Sequence, residues 1–478
     1  LSFKLGKAVT SERVFVTTHS GLSGRWDPNY YRHMTRFRAR VKSCPFPVEP
    51  LVRHLTQVQY GISERATSEP IGTPMLRMVN LQDDAWDLAE LKYTQMPSEE
   101  LEPYLLHEGD ILFNRTNSKE LIGKCQVFDL PGRFVFASYL IRVRTNEAKL
   151  LPDYVTAYLS LPVGRMLIDA VSRQIAGMTN INAEEIRELL VPRPDLATQR
   201  RIVAAWKKAL GQREKTEAQA RQLLASIDDL LLSELGIQLP PEPPATLENR
   251  VFTRPFSTLT GERWDPLFFH RDIYDFIRHP KLKLKPLREF VGRMTTGFAA
   301  GKDDQADDDT GVVQIRPTNM SDDRDLVFTR NIYIARSELA EHPLDVLGRG
   351  EVLFNNTNSQ ELVGKTVFFD LPGEFFASNH ITRVTPRKSE LHPEFLTHIL
   401  NLYQRKRVFF RLCTNWNNQS GVGPDVLGKV LIPEIPITTQ QRIAEKIAAR
   451  RDEAKRLRAA AAAQLAAAKL EIEAMILG

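Results

Sequence analysis

TQRRIVAAWKKALGQREKTEAQARQLLASIDDLLLSELG, Thr198 to Gly236, runs its whole length without a proline. Pro192 and Pro194 close an extended segment before it, Thr198 can cap, and the next proline is Pro240, so the stretch is a helix with a start and a stop. Ile202, Trp206, Ala209, Ala220, Leu223, Ile227, Leu230 and Leu231 recur at steps of three and four, which marks one buried stripe opposite a charged face. At ~1.5 Å per residue such a helix is on the order of 55 to 60 Å long, more than a small domain needs across its core. It reads as a strut.

A second copy, TTQQRIAEKIAARRDEAKRLRAAAAAQLAAAKLEIEAMILG (Thr438 to Gly478), follows Pro433 and Pro436 and again stops at Leu-Gly. Alanines 459 to 463 and 466 to 468 favour helix and close approach, and Ile443, Ile447, Leu457, Leu465, Leu470 and Ile472 supply apolar grip. Two such struts can pair as an antiparallel coiled coil. An ordinary helical hairpin serving as a domain core is the plainer reading. Each strut, however, follows a separate and larger globular segment.

The chain around the struts is written twice, with a period of roughly 240 residues, longer than any solenoid repeat. Arg13-Val14-Phe15 and Arg25-Trp26-Asp27-Pro28, then Tyr30-Tyr31, are echoed by Arg250-Val251-Phe252 and Arg263-Trp264-Asp265-Pro266, then Phe268-Phe269. MLRMVNLQDD (75 to 84) matches VQIRPTNMSDD (313 to 323), each a strand followed by a turn. GDILFNRTNSKELIGKCQVFDLPG (109 to 132) matches GEVLFNNTNSQELVGKTVFFDLPG (350 to 373), a β-rich pattern of short strands and turns. The prolines at 240, 241, 243 and 244 favour an extended linker. The expected organisation is a domain at 1–197, a strut at 198–236, a linker at 237–249, a second domain at 250–437 and a second strut at 438–478, with pseudo-two-fold symmetry.

The copies diverge in two places. YGISERATSEPIGTP (60 to 74) stands against GFAAGKDDQADDDTG (297 to 311), and SRQIAGMTNINAEE (172 to 185) against NWNNQSGVGPDV (415 to 426). Different polar loops on one duplicated scaffold suit two sites for different ligands, although drift in surface loops produces the same picture.

The bulk numbers exclude some classes. A chain of 478 residues with 42% hydrophobic and 26% charged residues suits a protein of several domains. Cys44, Cys125 and Cys413 have neither disulfide-like nor zinc-like spacing, so a reducing cytoplasm is expected. No apolar run reaches the ~18 residues of a membrane span. The chain begins at Leu1 without a methionine, which leaves room for a trimmed end or a larger polypeptide. A net charge of +5 is mild. Cations gather on the struts, at Arg200, Arg201, Lys207 and Lys208 and at Arg442, Lys446, Arg450, Arg451, Lys455, Arg456 and Arg458, where DNA or partner contact competes with a solvated, salt-bridged face.

Several catalytic motifs fail. Asp27-Pro28-Asn29-Tyr30 lacks the second proline of the methyltransferase Asp-Pro-Pro-Tyr loop and reads as a turn leading into a strand. GFAAGKD (297 to 303) is a phosphate loop one residue too short, and Asp303, Asp304, Asp307, Asp308 and Asp309 lack EF-hand spacing. No catalytic carboxylate cluster or Ser-His-Asp arrangement stands out. What remains is rich in side chains that pair with base edges, Asn and Gln with adenine, Arg and Lys with guanine. The first repeat offers Ser63, Arg65, Arg77, Asn80, Gln174, Thr179, Asn180 and Asn182, and the second Lys302, Arg316, Asn319, Asn415, Asn417, Asn418, Gln419 and Ser420. Thr116, Lys124, Thr357 and Lys365 are shared by both copies and fit turn structure or phosphate contact better than discrimination between bases.

RWDPNYY, MLRMVNLQDD, GDILFNRTNS and VPRPDLATQRRI with a long helix, repeated as RWDPLFF, IRPTNMSDD, GEVLFNNTNS and LIPEIPITTQQRI with a second, resemble the specificity subunits of Type I restriction-modification systems. The helix starts carry Thr198-Gln199 and Thr439-Gln440 where that family often has Glu-Gln. The resemblance implies an α+β chain, with two globular α/β target recognition domains separated by two long antiparallel helices in a coiled coil. It implies a non-catalytic protein that binds a bipartite, asymmetric double-stranded DNA target and recruits two methyltransferase subunits, with restriction and translocase subunits in the full assembly. It also implies no cofactor or metal on this chain, with S-adenosylmethionine, ATP and magnesium on the partners. Two alternatives stay open: the recognition region of a larger single-chain methyltransferase-nuclease, and a coiled-coil scaffold or regulator.

Overall fold

The computed structural model describes residues 27–82, 85–118, 121–175, 178–237, 244, 246–256, 266–269, 274, 277, 282–306, 310–416 and 419–478. Arg13-Val14-Phe15, Arg25-Trp26, Arg263-Trp264-Asp265, Asp307 to Asp309, the linker residues Pro240, Pro241 and Pro243, and Asn417 and Asn418 lie outside the described residues. The chain divides into two compact units, Leu1–Glu217 with Arg458–Gly478, and Ala218–Leu457. The division falls inside both long helices rather than at their starts.

In the first unit the helix Pro28–Val41 begins where Asp27 accepts the Asn29 amide at 2.9 Å and Pro28 occupies the first turn. Asp27-Pro28 therefore caps a helix and does not lead into a strand. Proline lacks the amide that a first turn leaves unused, so the pair favours this start. Tyr31, Met34 and Phe37 then fall on one buried face. The main sheet is antiparallel, in the order Leu55–Tyr60, Leu140–Thr145, Ile111–Asn114, Cys125–Val127. A mixed sheet orders Lys92–Thr94, Thr73–Leu76 and Val135–Phe136, with Met75 opposite Val135 in parallel. Val48–Pro50 pairs with Leu190–Pro192 just ahead of the long helix Leu196–Ala225.

The second unit repeats the plan sheet for sheet. Its main sheet runs Val291–Thr296, Ile381–Pro386, Glu351–Asn355, Thr366–Phe369, and its mixed sheet Ile332–Ile334, Val312–Ile315, Phe375–Ala377. Leu284–Pro286 pairs with Leu431–Pro433 ahead of the helix Ile437–Leu477. Each main sheet buries an arginine. Arg383 is 2% exposed and holds Glu351 through two bonds of 2.9 Å, and Arg142 is 1% exposed and donates to the Leu105 and Pro103 carbonyls at 2.7 and 2.9 Å. Such charges are tolerated inside because carbonyl and carboxylate acceptors meet most of their donors, with the Arg142 Nε left without a partner.

The long helices are core, not free rods. Ile202, Trp206, Ile472, Ile476 and Leu477 pack into the first unit's core with Phe37, Tyr154 and Leu167. Ile227, Leu231, Ile443 and Ile447 do so in the second with Phe354, Phe395 and Leu400. Leu470 departs from the expected grip, being 56% exposed. The first strut is bent. Helix Leu196–Ala225 gives way at Ser226 to helix Ile227–Glu234, and the Arg450 guanidinium donates to the Ser226 carbonyl at 2.9 Å and its hydroxyl at 2.7 Å. Outside groups that insert into the turn-to-turn ladder bend helices in this way. In the second unit the paired segments run antiparallel, since Arg450 meets Ser226 while Arg442 reaches Glu234 at 2.8 Å.

Candidate nucleic-acid interface

The second of the two divergent segments, 172 to 185 against 415 to 426, folds into the same object in each unit. In the first unit Arg173–Ile175 and Met178–Asn180 form a hairpin whose second strand pairs with Thr116–Asn117, placing Thr179 opposite Asn117 and Asn180 opposite Thr116. In the second, Thr414–Trp416 and Gln419–Gly421 form a hairpin that pairs with Thr357–Asn358. These segments read as loops because three-residue strands show no alternation, and Asn, Gly and Ser favour turns. The shared TNS stretch is the third strand in each case. It is the platform on which two different hairpins are built.

Side-chain hydrogen bonds hold each hairpin. Beyond the first, Asn182 caps the helix Ala183–Arg187 and exchanges bonds of 2.8 and 3.0 Å with Glu185, a reciprocal cap that fixes where the strand stops. Within it, Thr116 donates to the Asn180 side-chain oxygen at 2.6 Å. In the second hairpin Ser420 donates to the Asn415 side-chain oxygen at 2.6 Å. Trp416 lies across Gly421, where a Cβ would stand 2.3 Å from the indole, so only glycine admits the ring. Trp416 remains 46% exposed.

Of the residues expected to read bases, the structure presents some and withdraws others. Ser63 and Arg65 are exposed after the strand Leu55–Tyr60, and Lys302 is exposed after Val291–Thr296, at the matching place in the second unit. Arg316, Asn415 and Gln419 are exposed as well, and the Gln174 backbone lies in the first hairpin.

Asn80 and Asn319 are corrections. Each is 1% exposed and closes the turn after a strand. The Asn80 oxygen accepts the Arg77 amide at 2.9 Å and its NH2 donates to the Asp87 carbonyl at 2.8 Å, and Asn319 does the same with Arg316 at 3.0 Å and Val327 at 2.9 Å. Both amides are spent within the turn, that of Asn319 also on the Asn331 side-chain oxygen at 3.2 Å. Lys365 is buried against the Met320 carbonyl and Asp322, at 2.7 Å from the carboxylate, so it does not reach for phosphate. Thr179 and Ser420 are also buried, Arg77 donates to the Glu90 carbonyl at 2.8 Å, and Thr357 donates to the Asn356 side chain at 2.8 Å. Lys124 is half-buried.

The strut cations are largely committed inside the second unit. Arg442 and Lys446 both pair with Glu234, while Arg451 and Lys455 meet Asp325 at 2.9 and 3.0 Å. These last two line a cavity of about 550 Å3 with Arg324, Phe328, Phe368 and His398. Burial, together with Arg451 and Arg405, drives the His398 imidazole down to about 3, so it is neutral at physiological pH. Among the described residues, no hairpin residue borders this cavity. Among the described residues, no group of three or more His, Cys, Asp or Glu is arranged to hold a metal ion, and no helix is long and apolar enough to cross a membrane.

No protein-family model matches the chain. Curated relatives do. The chain is 26% identical over 186 residues to the Type I restriction enzyme EcoKI specificity subunit of Escherichia coli K12, covering 38% of this chain and 40% of that one. It is 27% identical over 177 residues to the putative type I restriction enzyme MjaX specificity subunit of Methanocaldococcus jannaschii, covering 36% and 42%. This chain is similar to Type I restriction enzyme specificity subunits. The matched region spans about 40% of the length of these relatives. Solved structures align over more of the chain at lower identity. A Type I restriction-modification S subunit from M. genitalium is 10% identical with a TM-score of 0.39, covering 91% of this chain and 96% of that one. A chain of a type I R-M system is 16% identical with a TM-score of 0.44, covering 90% and 98%.

Beside the hairpins, as in no expectation drawn from the sequence, stand exposed aromatics. Tyr60 is 40% and Tyr139 52% exposed, and the Arg115 guanidinium carbon sits 4.9 Å from the Tyr60 ring centroid. The signal for them was present in the alignment of the repeats. Arg115 is the one difference between FNRTNS and FNNTNS, and Tyr60 opens the first divergent loop.

Proposed function

We propose that this chain is the DNA sequence-recognition subunit of a Type I restriction-modification enzyme, binding a bipartite, asymmetric double-stranded target. The observation that supports the reading most is the pair of hairpin sheets. One TNS strand and one surrounding fold carry two hairpins of unrelated sequence, the arrangement required when two half-sites differ. In this reading each unit addresses one half-site through its hairpin and through the loop that holds Ser63 and Arg65, or Lys302. Polar side chains contact base edges in the major groove, while Lys and Arg neutralise phosphates and set the register. The long helices set the interval between half-sites.

The subunit makes and breaks no bonds. It works in the cytoplasm with two methyltransferase subunits and with restriction subunits, and S-adenosylmethionine, ATP and magnesium are used on those partners. The similarity to specificity subunits supports this assignment. Mapping methylated adenines in DNA from cells that carry this chain and its methyltransferase partner tests it. A split motif of two unlike halves at one fixed gap is expected. A continuous motif, or none with the partner present, would sink the reading.

A further inference from the structure

We propose that Arg115 is a base-reading residue of the first unit, directed at a guanine, and that the matching position of the second unit has no such role. The proposal rests on the recognition function above. The two repeats differ at one position within FNRTNS and FNNTNS, Arg115 against Asn356. Their backbones are used identically. The Arg115 amide donates to the Tyr139 carbonyl at 3.1 Å and that of Asn356 to the His380 carbonyl at 3.0 Å. The Arg115 carbonyl accepts from Ile181 and the Asn356 carbonyl from Val422, both at 2.9 Å. Both residues thus immediately precede the TNS strand and are tied to the far end of the hairpin. Only the side chains part company.

Asn356 turns inward. It is 5% exposed, its NH2 donates to the Asn379 carbonyl and the Thr382 hydroxyl at 3.1 Å each, and its oxygen accepts from Thr357 at 2.8 Å. Nothing is left over for a ligand. Arg115 instead is half-buried and lies over the Tyr60 ring, with one terminal nitrogen donating to the Ser138 carbonyl at 3.3 Å, a buried Nε that has no hydrogen-bond partner, and the other terminal nitrogen as the donor left for a base. No carboxylate among the described residues forms an ion pair with it, whereas Arg173 of the first hairpin is held by Glu185 at 2.6 Å.

Tyr60 is itself fixed, because its hydroxyl accepts the Ala183 amide at 3.0 Å, at the start of the helix that ends the hairpin. The corresponding residue in the second unit is Thr296, which has no ring to offer: Tyr60 pairs with Ile141 as Thr296 pairs with Thr382. A guanidinium stacked on a clamped ring has already lost most of its rotamer freedom, so little more is lost when it binds. It presents donors only, in the fork that matches guanine O6 and N7, the commonest specific contact in the major groove.

The test uses the full chain with its methyltransferase partner and maps methylated adenines for wild type, Arg115→Ala, Arg115→Gln and Arg115→Lys. Wild type should give two half-sites, one containing a guanine that the variants cease to require. Discrimination at that position should fall roughly 5- to 100-fold in Arg115→Ala and Arg115→Gln, with the other half-site and the gap unchanged. An unaltered motif in all three variants overturns the proposal. So does an equal loss at every sequence, which would make Arg115 a phosphate contact, or unfolding of all three, which would make it structural. No split motif in the wild type defeats the recognition reading itself and is thereby distinguished from failure of this residue's role.

Discussion

Gln199 and Gln440 sit at the same point of the two long helices, with 0% and 1% exposure, and do the same work. Gln440 accepts the His392 amide at 2.8 Å and donates to the Glu390 and Ile435 carbonyls at 2.9 Å each. Gln199 does so with Leu151, Lys149 and Pro194. One amide therefore stitches a helix start to the loop ahead of another helix. Gln440→Ala should cost about 3 kcal/mol, since it leaves buried backbone groups unpaired, and should lower the urea midpoint of the second unit. A shift below about 0.5 kcal/mol, the range of ordinary surface substitutions, would remove the stitch from consideration. The Thr-Gln pair marked the helix start in the sequence to within a turn, but the helix begins at Leu196 and Asp195, not Thr198, caps it by accepting the Thr198 amide at 2.9 Å. The use of the glutamine was not visible there, because the groups it joins are distant in the chain.

Glu49 shows the same residue-scale logic with charge. Arg193 at 2.8 Å, with His54 at 3.0 Å, holds its carboxyl at about 2, against the opposing pull of desolvation. A carboxyl whose folded value is depressed contributes stability above its unfolded value, and that contribution disappears as pH falls toward the folded value. Glu49→Gln should therefore be less stable than wild type by about 1 kcal/mol at neutral pH. The two should converge as pH is lowered from about 4.5 to 2, followed by thermal unfolding. A gap that stays constant through that window would place the effect elsewhere than in this charge.

At the scale of elements, the turn after each TNS strand depends on one glycine. Gly364 has φ +92°, and a Cβ there would lie 2.2 Å from Phe409, while Gly123 has φ +70° and faces Ile168 at 2.5 Å. Gly364→Ala combines left-handed strain with overpacking, and about 2 to 4 kcal/mol of destabilisation is expected in chemical unfolding. A neutral substitution would mean that the helix Val408–Leu412 yields easily. The Ile-Gly-Lys and Val-Gly-Lys steps were legible as turns. That they lock a β platform against a helix was not, since the contact joins segments far apart in sequence. The hairpins were hidden for the same reason. Their residues favour turns locally, and only pairing with Thr116–Asn117 or Thr357–Asn358 makes them strands.

For the whole molecule, the division between compact units falls after Glu217 and before Arg458, inside both long helices. If these helices set the interval between half-sites, inserting one turn, about four residues, at both points should change the gap in the methylated motif and leave both half-sites intact. An unchanged gap would take the ruler role away from them. The duplication and the presence of the long helices were legible in the sequence alone. Local periodicity and capping act over a few residues, and a repeat requires no knowledge of space. Tertiary structure alone decided which polar side chains face outward. Asn80, Asn319, Lys365 and Ser420 look like ligands in a string of letters, but each is drawn inside, the asparagines by backbone groups, Lys365 by a carbonyl and a carboxylate, and Ser420 by the Asn415 side chain. Arg115, half-buried, is met by a tyrosine and not by a carboxylate.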